Sequence, residues 1–582
     1  MDISRLRDRL IEIDYTTDSV LERIGDAGQA GLHRNCTLPA DVTLAGAGDP
    51  LATLIRMFLL RQQMPSGVAE RAFGGCFLDV VAQGIIAVDG GSARAVVELR
   101  PYASPDDGAS GWLVSDLTPG LDGIVEPTRP DYVLGASPAS LTLAEITMRG
   151  HVGMALDLGT GCGVQSYHLS RHADRVVATD LNPRACALAG LTMALNGIDR
   201  VGLREGSLYE PVDGERFDLI VTNPPYVMSP PDDGAERLVY REGSFAGDGL
   251  VERVVRRGPR HLTDGGLLQV LANWADGGGA RWQDRLSGWA AGTGCDLWVI
   301  QRERLDVYEY IEMWLTDAGL AGSDEWGPRY RRWLDYFEKL GITGVGMGWI
   351  MLRNSGAARP GIRIEEWPYD IGRPVGPALS SGWRALDARS LDDDALLAAR
   401  CTLDPDVVQE TTDAPGAARA MSSCAGPPGC GGRSRWTRRW AACSAPATAS
   451  SRWVGSSTRS PNCSATIPPH CAPDSPRDCA TPSSTASSPS ARPMPRPPDD
   501  RSRRHGPLPG AIRARSRERR RLRIIRPRAR GSTPQGSGCQ TAPRRPLPSV
   551  RFPEPHDAWA DTADAPTFSR RAVRRRRPAR LW

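Results

Sequence analysis

The sequence predicts an α/β fold with a doubly wound, mostly parallel sheet between residues 130 and 356. Apolar segments of strand length alternate there with amphipathic helical segments, as in successive strand–helix–strand units. The glycine-rich segment 159–163 follows the first predicted strand, and Asp180 ends the second. Because ligands of such sheets bind at the carboxyl ends of the strands, both features indicate a binding site at that edge.

Seven strands are predicted in this region, because seven apolar runs are bounded by turn residues. Helices are predicted between them, for example at 250–261 and 281–291, and a further aromatic-rich helix, 330–340, is inserted before the last strand. The predicted strands are 154–158, 175–179, 201–205, 217–222, 267–273, 296–301 and 345–352.

Residues 1–125 are predicted to form a separate domain of helices followed by a β-hairpin. The segment 51–61 has the periodicity of an amphipathic helix, and two apolar strands, 85–88 and 95–99, flank the turn Asp89-Gly90-Gly91. This arrangement resembles a winged helix. That fold serves as a nucleic-acid reader or as a packing module, and the sequence leaves both roles open.

The two ends of the chain differ sharply in charge. Residues 1–420 contain 40 basic and 59 acidic residues, a net charge of −19, whereas 421–582 contain 32 basic and 9 acidic residues, a net charge of +23. Only 13 of the last 162 residues are Leu, Ile, Val or Phe, which is too few to form a core. We therefore predict a disordered Arg/Pro/Ser-rich tail at 421–582, preceded by a small extension at 357–420.

A frameshift near residue 420 is our preferred explanation of this tail. The chain has one lysine, Lys339, and 71 arginines, which indicates a GC-rich gene. Helix and strand periodicity ends at the same point where the composition changes, so the extension at 357–420 would be truncated. The alternative is a genuine basic tail that binds nucleic acid.

Membrane and metal partners are not expected. The N-terminus has no apolar signal region, and no run approaches the ~20 apolar residues of a membrane span, so we expect a cytoplasmic protein. The cysteines lack the spacing of a typical zinc site. The oligomeric state is left open.

The glycine segment reads Gly159-x-Gly161-x-Gly163, with Asp157 before it and Thr160 within it. Its spacing differs from the Gly-x-Gly-x-x-Gly of dinucleotide-binding proteins, so a dinucleotide is the less favoured ligand. Glycines allow a sharp turn out of the strand and a close approach of the backbone to a ligand. A tight turn without a ligand is the alternative.

Asp180 is predicted to accept hydrogen bonds from the two hydroxyl groups of a ribose, because it ends the second strand 21 residues after Gly159. The alternative role for this carboxylate is a helix N-cap. Asn182, which precedes a proline, is equally suited to that role.

The segment Asn223-Pro224-Pro225-Tyr226 follows the fourth predicted strand. The Asn223 side-chain oxygen and the Pro224 backbone carbonyl form an acceptor pair suited to the two hydrogens of an NH2 group. Holding both hydrogens favours a pyramidal nitrogen, which is the nucleophilic form of a planar amide or base amine. The prolines stiffen the loop, and the Tyr226 ring is expected to stack on the flat acceptor.

With Gly247-Asp248-Gly249-Leu250 as a third motif, residues 130–300 resemble the HemK/PrmC-type small-domain class I methyltransferases. The resemblance implies a Rossmann-like seven-stranded sheet, S-adenosylmethionine (SAM) as cofactor, and methyl transfer to a glutamine side-chain amide or a nucleic-acid amine. Ser207 is at a position where related enzymes contact adenine, often with aspartate. The implied cofactor-binding residues are Asp157, Gly159, Thr160, Gly161, Gly163, Asp180, Ser207 and Asn223; the implied catalytic residues are Asn223, Pro224, Pro225 and Tyr226.

Protein glutamine is the favoured substrate, because the third motif is typical of that branch and a net charge of −19 opposes phosphate binding. RNA or DNA is the alternative, supported by the winged-helix resemblance and by a cluster of four arginines. A further alternative is that the protein is not an enzyme but a catalytically inactive scaffold. The four arginines are Arg253, Arg256, Arg257 and Arg260.

Overall fold

The structure is a computed structural model of the chain. It describes residues 3–124, 129–231, 245–387 and 392–398, together with short strands between 400 and 452. The described residues form an N-terminal group of helices with a small sheet, a β-hairpin, and a large central sheet covered by helices.

The N-terminal group begins with four helices, α1 (Ser4–Glu12), α2 (Thr17–Leu32), α3 (Leu38–Thr43) and α4 (Pro50–Leu54). The chain then forms a π-helical turn, Ile55–Leu59, so the predicted helix 51–61 changes geometry halfway. It continues through β1 (Met64–Pro65), α5 (Ser66–Phe73), α6 (Phe77–Ala82), β2 (Ile86–Asp89) and β3 (Ser92–Ala95).

The predicted hairpin is formed by β2 and β3, with Gly90 and Gly91 at positive φ in its turn. Its second strand ends at Ala95, earlier than predicted. The chain then enters a second hairpin, β4 (Glu98–Ser104) and β5 (Ala109–Ser115), that the sequence analysis missed. The predicted strand 95–99 therefore combined the ends of two separate strands.

The central region contains β6 to β13 and α7 to α14. The first part is α7 (Pro138–Ile146), β6 (Val152–Leu158), α8 (Val164–Leu169), β7 (Ala173–Asp180), α9 (Pro183–Leu195), β8 (Val201–Glu205) and β9 (Phe217–Thr222). The second part is α10 (Gly249–Arg257), β10 (Leu262–Gly277), α11 (Trp282–Ala290), β11 (Asp296–Asp306), α12 (Val307–Asp317), α13 (Trp326–Leu340), β12 (Ile342–Arg353), β13 (Ile362–Glu366) and α14 (Gly376–Asp387).

The strands of the central sheet have the order β8-β7-β6-β9-β10-β12-β11-β13. All neighbouring pairs are parallel except those of β12, which is antiparallel to β10 and β11. All seven predicted strands are present. The carboxyl ends of β6, β7, β8 and β9 therefore meet at one edge, where the glycine segment, Asp180, Ser207 and Asn223 follow them.

Capping residues begin the helices at this edge. Ser137 and Ser140 form a reciprocal capping box at α7, and Asn182 caps α9 by accepting the Arg184 N–H at 3.0 Å. Such side chains satisfy backbone donors that a helix start leaves open.

The sheet extends past residue 356, where the sequence placed the end of this domain. Strand β13 pairs in parallel with β11, and α14 packs Leu379 and Trp383 against the same face of the sheet as Trp298. This pairing was not predicted, because β13 has only two strongly apolar residues, Ile362 and Ile364.

The N-terminal group packs directly on the central region. Its core is continuous with buried residues of α8 and α9, including Tyr167 and Leu188. In the hairpin, a Cβ at Gly111 would lie 1.9 Å from the Asn196 side-chain oxygen, so only glycine permits this approach of β5 to the end of α9. The winged-helix-like part therefore packs against α8 and α9 of the central region.

Beyond α14, the described residues form α15 (Asp393–Ala398) and five short strands. These are β14 (Arg400–Cys401), β15 (Val408–Thr412), β16 (Met421–Ala425), β17 (Arg433–Thr437) and β18 (Ser451–Arg452). Strands β15, β16 and β17 pair as a three-stranded antiparallel sheet. Strand β15 lies in the predicted extension 357–420, and β16 and β17 lie in the predicted tail. The rest of the predicted disordered tail lies outside the described residues.

Within the described ranges, the chain has no helix that is both long enough and apolar enough to cross a membrane.

Candidate active site

A cavity of about 360 Å³ opens at the carboxyl edge of β6, β7 and β9. Residues from three separate sequence motifs meet there, because the parallel strands bring the ends of their loops together. The predicted site residues that line the cavity are Gly159, Thr160, Gly161, Asp180, Ser207, Asn223, Pro224 and Pro225.

The three glycines of the loop between β6 and α8 all have left-handed backbone conformations, with φ of 78° at Gly159, 55° at Gly161 and 86° at Gly163. A Cβ at Gly159 or Gly161 would meet nothing within 4 Å, whereas one at Gly163 would lie 3.2 Å from the Ala189 side chain. The first two glycines thus border open space, and the third allows the loop to pack on α9.

Asp157 is buried beneath this loop and does not line the cavity. Its Oδ2 atom accepts hydrogen bonds from the Thr160 hydroxyl at 2.7 Å and from the Ser166 N–H and hydroxyl at 2.9 and 2.6 Å. Burial raises the pKa of Asp157 to about 6. The carboxylate therefore ties the loop to the start of α8.

Asp180 lies at the cavity and is also tied to the loop. Its two oxygens accept the N–H of Gly161 and the N–H of Asn182, each at 2.9 Å. Burial raises the pKa of this carboxyl group. Since Asn182 supplies the cap of α9, Asp180 is not needed for that role, and each of its oxygens can accept a further hydrogen bond.

At the start of the loop after β9, a hydrogen bond joins β9 to β6: the Thr222 hydroxyl donates to the Leu158 carbonyl at 2.7 Å. The next residue, Asn223, has a different environment. Its side-chain oxygen Oδ1 is buried and has no hydrogen-bond partner among the described residues. A buried acceptor without a partner is costly, so this oxygen at the cavity wall indicates a place for a donor from a ligand.

Tyr226 does not line the cavity. Its ring packs edge-to-face against Trp314 of α12, with ring centroids 6.4 Å apart, and burial raises the pKa of its hydroxyl. The sequence predicts that this ring stacks on the acceptor group. The structure instead places it against the helices inserted before β12, whose position the local sequence does not reveal.

Other cavity residues are not predicted from the sequence. The segment before α7 contributes Tyr132, Val133, Leu134 and Gly135, which have no motif of their own. On α8, Gln165 also faces the cavity and donates from Nε2 to the Ser140 carbonyl at 2.6 Å. Leu181, 59% exposed, is the apolar neighbour of Asp180 in the lining.

The third motif, Gly247-Asp248-Gly249-Leu250, makes contacts that stabilise the fold. The Asp248 carboxylate accepts the Ala275 N–H at 2.8 Å and forms an ion pair with Arg285 at 2.8 Å. These contacts hold the start of α10, from which Leu250 reaches the cavity. The motif therefore positions a wall of the cavity through a partly buried ion pair.

The four arginines proposed as a basic patch are partly engaged within the protein. Arg256 pairs with Glu252 at 2.7 Å and also donates to the Gly288 carbonyl, while Arg253 lies 5.3 Å from the centre of the Phe245 ring. This makes a dedicated phosphate-binding face on α10 less well supported. The described residues contain no group of three or more His, Cys, Asp and Glu side chains that could hold a metal ion.

Comparison with known proteins agrees with this geometry. Residues 137–279 match the family model of the methyltransferase small domain. This region is a HemK/PrmC-like class I methyltransferase domain. Residues 12–96 match a separate family described as a domain of unknown function, DUF7059, which covers most of the N-terminal group.

Curated relatives resemble the methyltransferase domain but not the whole chain. The ribosomal protein uL3 glutamine methyltransferase of Bradyrhizobium diazoefficiens is 38% identical over 129 residues, 20% of this chain and 40% of that protein. The release factor glutamine methyltransferase of Geobacter sulfurreducens is 33% identical over 162 residues, covering 26% and 55%. The ribosomal RNA small subunit methyltransferase C of Alcanivorax borkumensis is 31% identical over 124 residues, covering 21% and 33%.

The chain thus spans about half the length, or less, of the relatives it matches. The shared part is the methyltransferase domain with its cavity, and the N-terminal group has its own family.

Proposed function

We propose that this protein is a SAM-dependent N-methyltransferase that acts on a planar NH2 group, in the first place the side-chain amide of glutamine in a protein. The observation that carries the proposal is the unpartnered Asn223 Oδ1, buried at the wall of a cavity that also holds the glycine loop and Asp180. An acceptor atom of this kind suits a substrate that brings hydrogens, as an amide NH2 does.

The cavity residues fit SAM. Gly159 and Gly161 leave open space where the methionyl part of SAM would pack, and Asp180 retains acceptor capacity for the ribose hydroxyls. Ser207 and the exposed side chain of Leu181 would flank the adenine. When bound, SAM supplies an electrophilic methyl group, because no side chain of the protein carries one that can be transferred.

The chain's own residues would then orient the acceptor nitrogen. Asn223 Oδ1 and the Pro224 carbonyl would each accept one hydrogen of the NH2 group. An amide nitrogen is a poor nucleophile because its lone pair is delocalised, and holding both hydrogens out of plane would localise that pair. Catalysis would rest on positioning and electrostatic stabilisation, without a covalent enzyme intermediate.

Glutamine is favoured over a nucleic-acid amine by the relatives and by charge. The two relatives with higher identity are glutamine methyltransferases, at 38% and 33% identity. Residues 1–420 have a net charge of −19, which opposes the binding of phosphates. An RNA amine is the second candidate, supported by the weaker similarity to the ribosomal RNA methyltransferase. A cytoplasmic location stays a prediction.

The test is transfer of label from radiolabelled SAM into a lysate of source cells that lack this gene. Samples are digested with protease or with ribonuclease before the retained label is measured. Label that is lost with protease supports glutamine methylation, and peptide mass spectrometry then identifies the residue. Label that is lost with ribonuclease supports the RNA candidate. No label, together with no SAM binding in calorimetry, would support an inactive scaffold.

A further inference from the structure

The two helices inserted between β11 and β12 pack against the loop that carries Asn223. Helices α12 and α13 form a small aromatic core with the residues that follow this loop, and Tyr226 lies at its border. The buried members of this core are Val227, Met228, Ala275, Tyr310, Ile311, Leu315, Trp333, Phe337, Ile342 and Val345.

Tyr310, on α12, lies at the centre of this core and is 0% exposed. Its hydroxyl oxygen accepts the backbone N–H of Met228 at 3.2 Å and the side-chain Nδ2–H of Asn273 at 3.4 Å. Met228 is two residues beyond Tyr226, and Asn273 is on β10, the strand next to β9. A single hydroxyl therefore joins the loop to the sheet.

The aromatic rings extend this connection to Tyr226. Trp314 packs edge-to-face with both Tyr310, at 6.1 Å between centroids, and Tyr226, at 6.4 Å. Edge-to-face pairs have a preferred geometry and favour one ring orientation. Helix α12 thus contacts both the backbone and the aromatic end of the loop.

Such support is needed because the loop has few donors of its own. Pro224 and Pro225 have no backbone N–H. The Asn223 side-chain oxygen makes no hydrogen bond among the described residues, so its position depends on the backbone that carries it. Thr222 anchors that backbone before the motif, and Tyr310 anchors it after the motif, at Met228.

We propose that Tyr310 is a positioning residue for methyl transfer, which holds the Asn223 loop in register with the cavity through its hydroxyl. This inference rests on the proposed function. Because it concerns the acceptor side of the cavity, it predicts an effect on turnover and not on SAM affinity. Displacing reacting groups by less than the length of a bond slows transfer strongly.

The variant that tests this is Tyr310→Phe, which keeps the ring and removes the hydroxyl. Tyr15→Phe is the control, because Tyr15 is also 0% exposed and its hydroxyl donates to the Leu99 carbonyl on β4 at 2.9 Å, away from the Asn223 loop. Tyr310→Phe removes at least the hydrogen bonds to Met228 and Asn273, and Tyr15→Phe removes the one to Leu99. Only Tyr310→Phe affects the Asn223 loop.

The kinetic readout is transfer of label into the lysate proteins over a range of SAM concentrations up to saturation. We expect Tyr310→Phe to lower kcat about tenfold with KM for SAM unchanged, and Tyr15→Phe to keep the wild-type kcat. Equal kcat values for Tyr310→Phe and wild type would overturn the inference while leaving the proposed function intact.

A second readout does not require activity. Hydrogen–deuterium exchange of the peptide containing Met228 should be faster in Tyr310→Phe than in wild type, and unchanged in Tyr15→Phe. Unchanged exchange in Tyr310→Phe would contradict the inference even if no acceptor were found. Absence of label with the wild-type enzyme would count against the proposed function alone.

Discussion

The two sides of the cavity differ in how their polar atoms are held. On the glycine-loop side, Asp157 and Asp180 each accept at least two hydrogen bonds from neighbouring loop and helix residues. The Asp157 Oδ1 atom also lacks a partner among the described residues, but Asp157 does not line the cavity. On the other side, Asn223 has a buried oxygen without a partner among the described residues, and its loop is supported by the aromatic core of α12 and α13.

This difference suggests that one side of the cavity binds the cofactor and the other side takes part in methyl transfer. A hydrogen-bonded loop keeps its shape before a ligand arrives, so it suits a cofactor that must be held in one orientation. An acceptor atom without a protein partner remains available for the group that reacts. Substitutions at the ligand-facing residues of the glycine-loop side should therefore change SAM affinity, and substitutions on the Asn223 side should change kcat.

The largest effect is expected from Asn223→Ala. We expect a loss of about a thousandfold in kcat, the upper range for removing one group that orients and stabilises a transition state. SAM affinity should remain near wild type. Transfer from labelled SAM and calorimetry measure the two quantities, and a parallel loss of SAM affinity would show that Asn223 mainly supports the cofactor.

Asp157→Asn tests the loop side through the pH dependence of stability. Burial raises the pKa of Asp157 from 3.8 to about 6, so the folded state binds more protons than the unfolded state between these values. The difference in unfolding free energy between wild type and Asp157→Asn should therefore change with pH. As pH rises through this window, wild type should lose about 3 kcal/mol relative to the variant, at ~1.4 kcal/mol per pH unit. Urea titrations from pH 4 to 7 measure it. A constant difference would contradict the burial argument.

Asp180→Ala should mainly weaken SAM binding. Loss of its carboxylate removes the proposed ribose acceptors and frees the Gly161 N–H, and we expect about a thirtyfold rise in the dissociation constant, since hydrogen bonds to charged groups contribute ~1.5–3 kcal/mol. At saturating SAM, kcat should stay within about threefold of wild type. Unchanged affinity in calorimetry would remove Asp180 from the ribose site.

Asn182→Ala is the smallest change and serves as a reference for the neighbouring Asp180. It removes the N-cap of α9, so the free energy of unfolding should fall by about 1 kcal/mol. SAM affinity should change less than in Asp180→Ala. Asn182 also lines the cavity, so equal weakening of binding by both variants would show only that the effect of Asp180→Ala is not specific to the ribose acceptor.

The features that local pattern encodes were predicted well from the sequence. Strands β6, β7 and β9 contain short apolar runs. The parallel order of these strands brings the glycine loop, Asp180 and Asn223 together. Contacts between distant segments were not predictable in this way. The Tyr310 hydroxyl meets Met228 across 82 residues, and neither residue belongs to a motif. Strand β13 has a weak signal and is stabilised by its partner β11.

The most direct test of the account is a crystal structure of the protein with S-adenosylhomocysteine, the product that lacks the transferable methyl group. We expect the ligand to fill this cavity, with its ribose hydroxyls at Asp180 and its sulfur facing Asn223. A ligand bound elsewhere, or bound with its sulfur turned away from Asn223, would contradict the separation of the two sides.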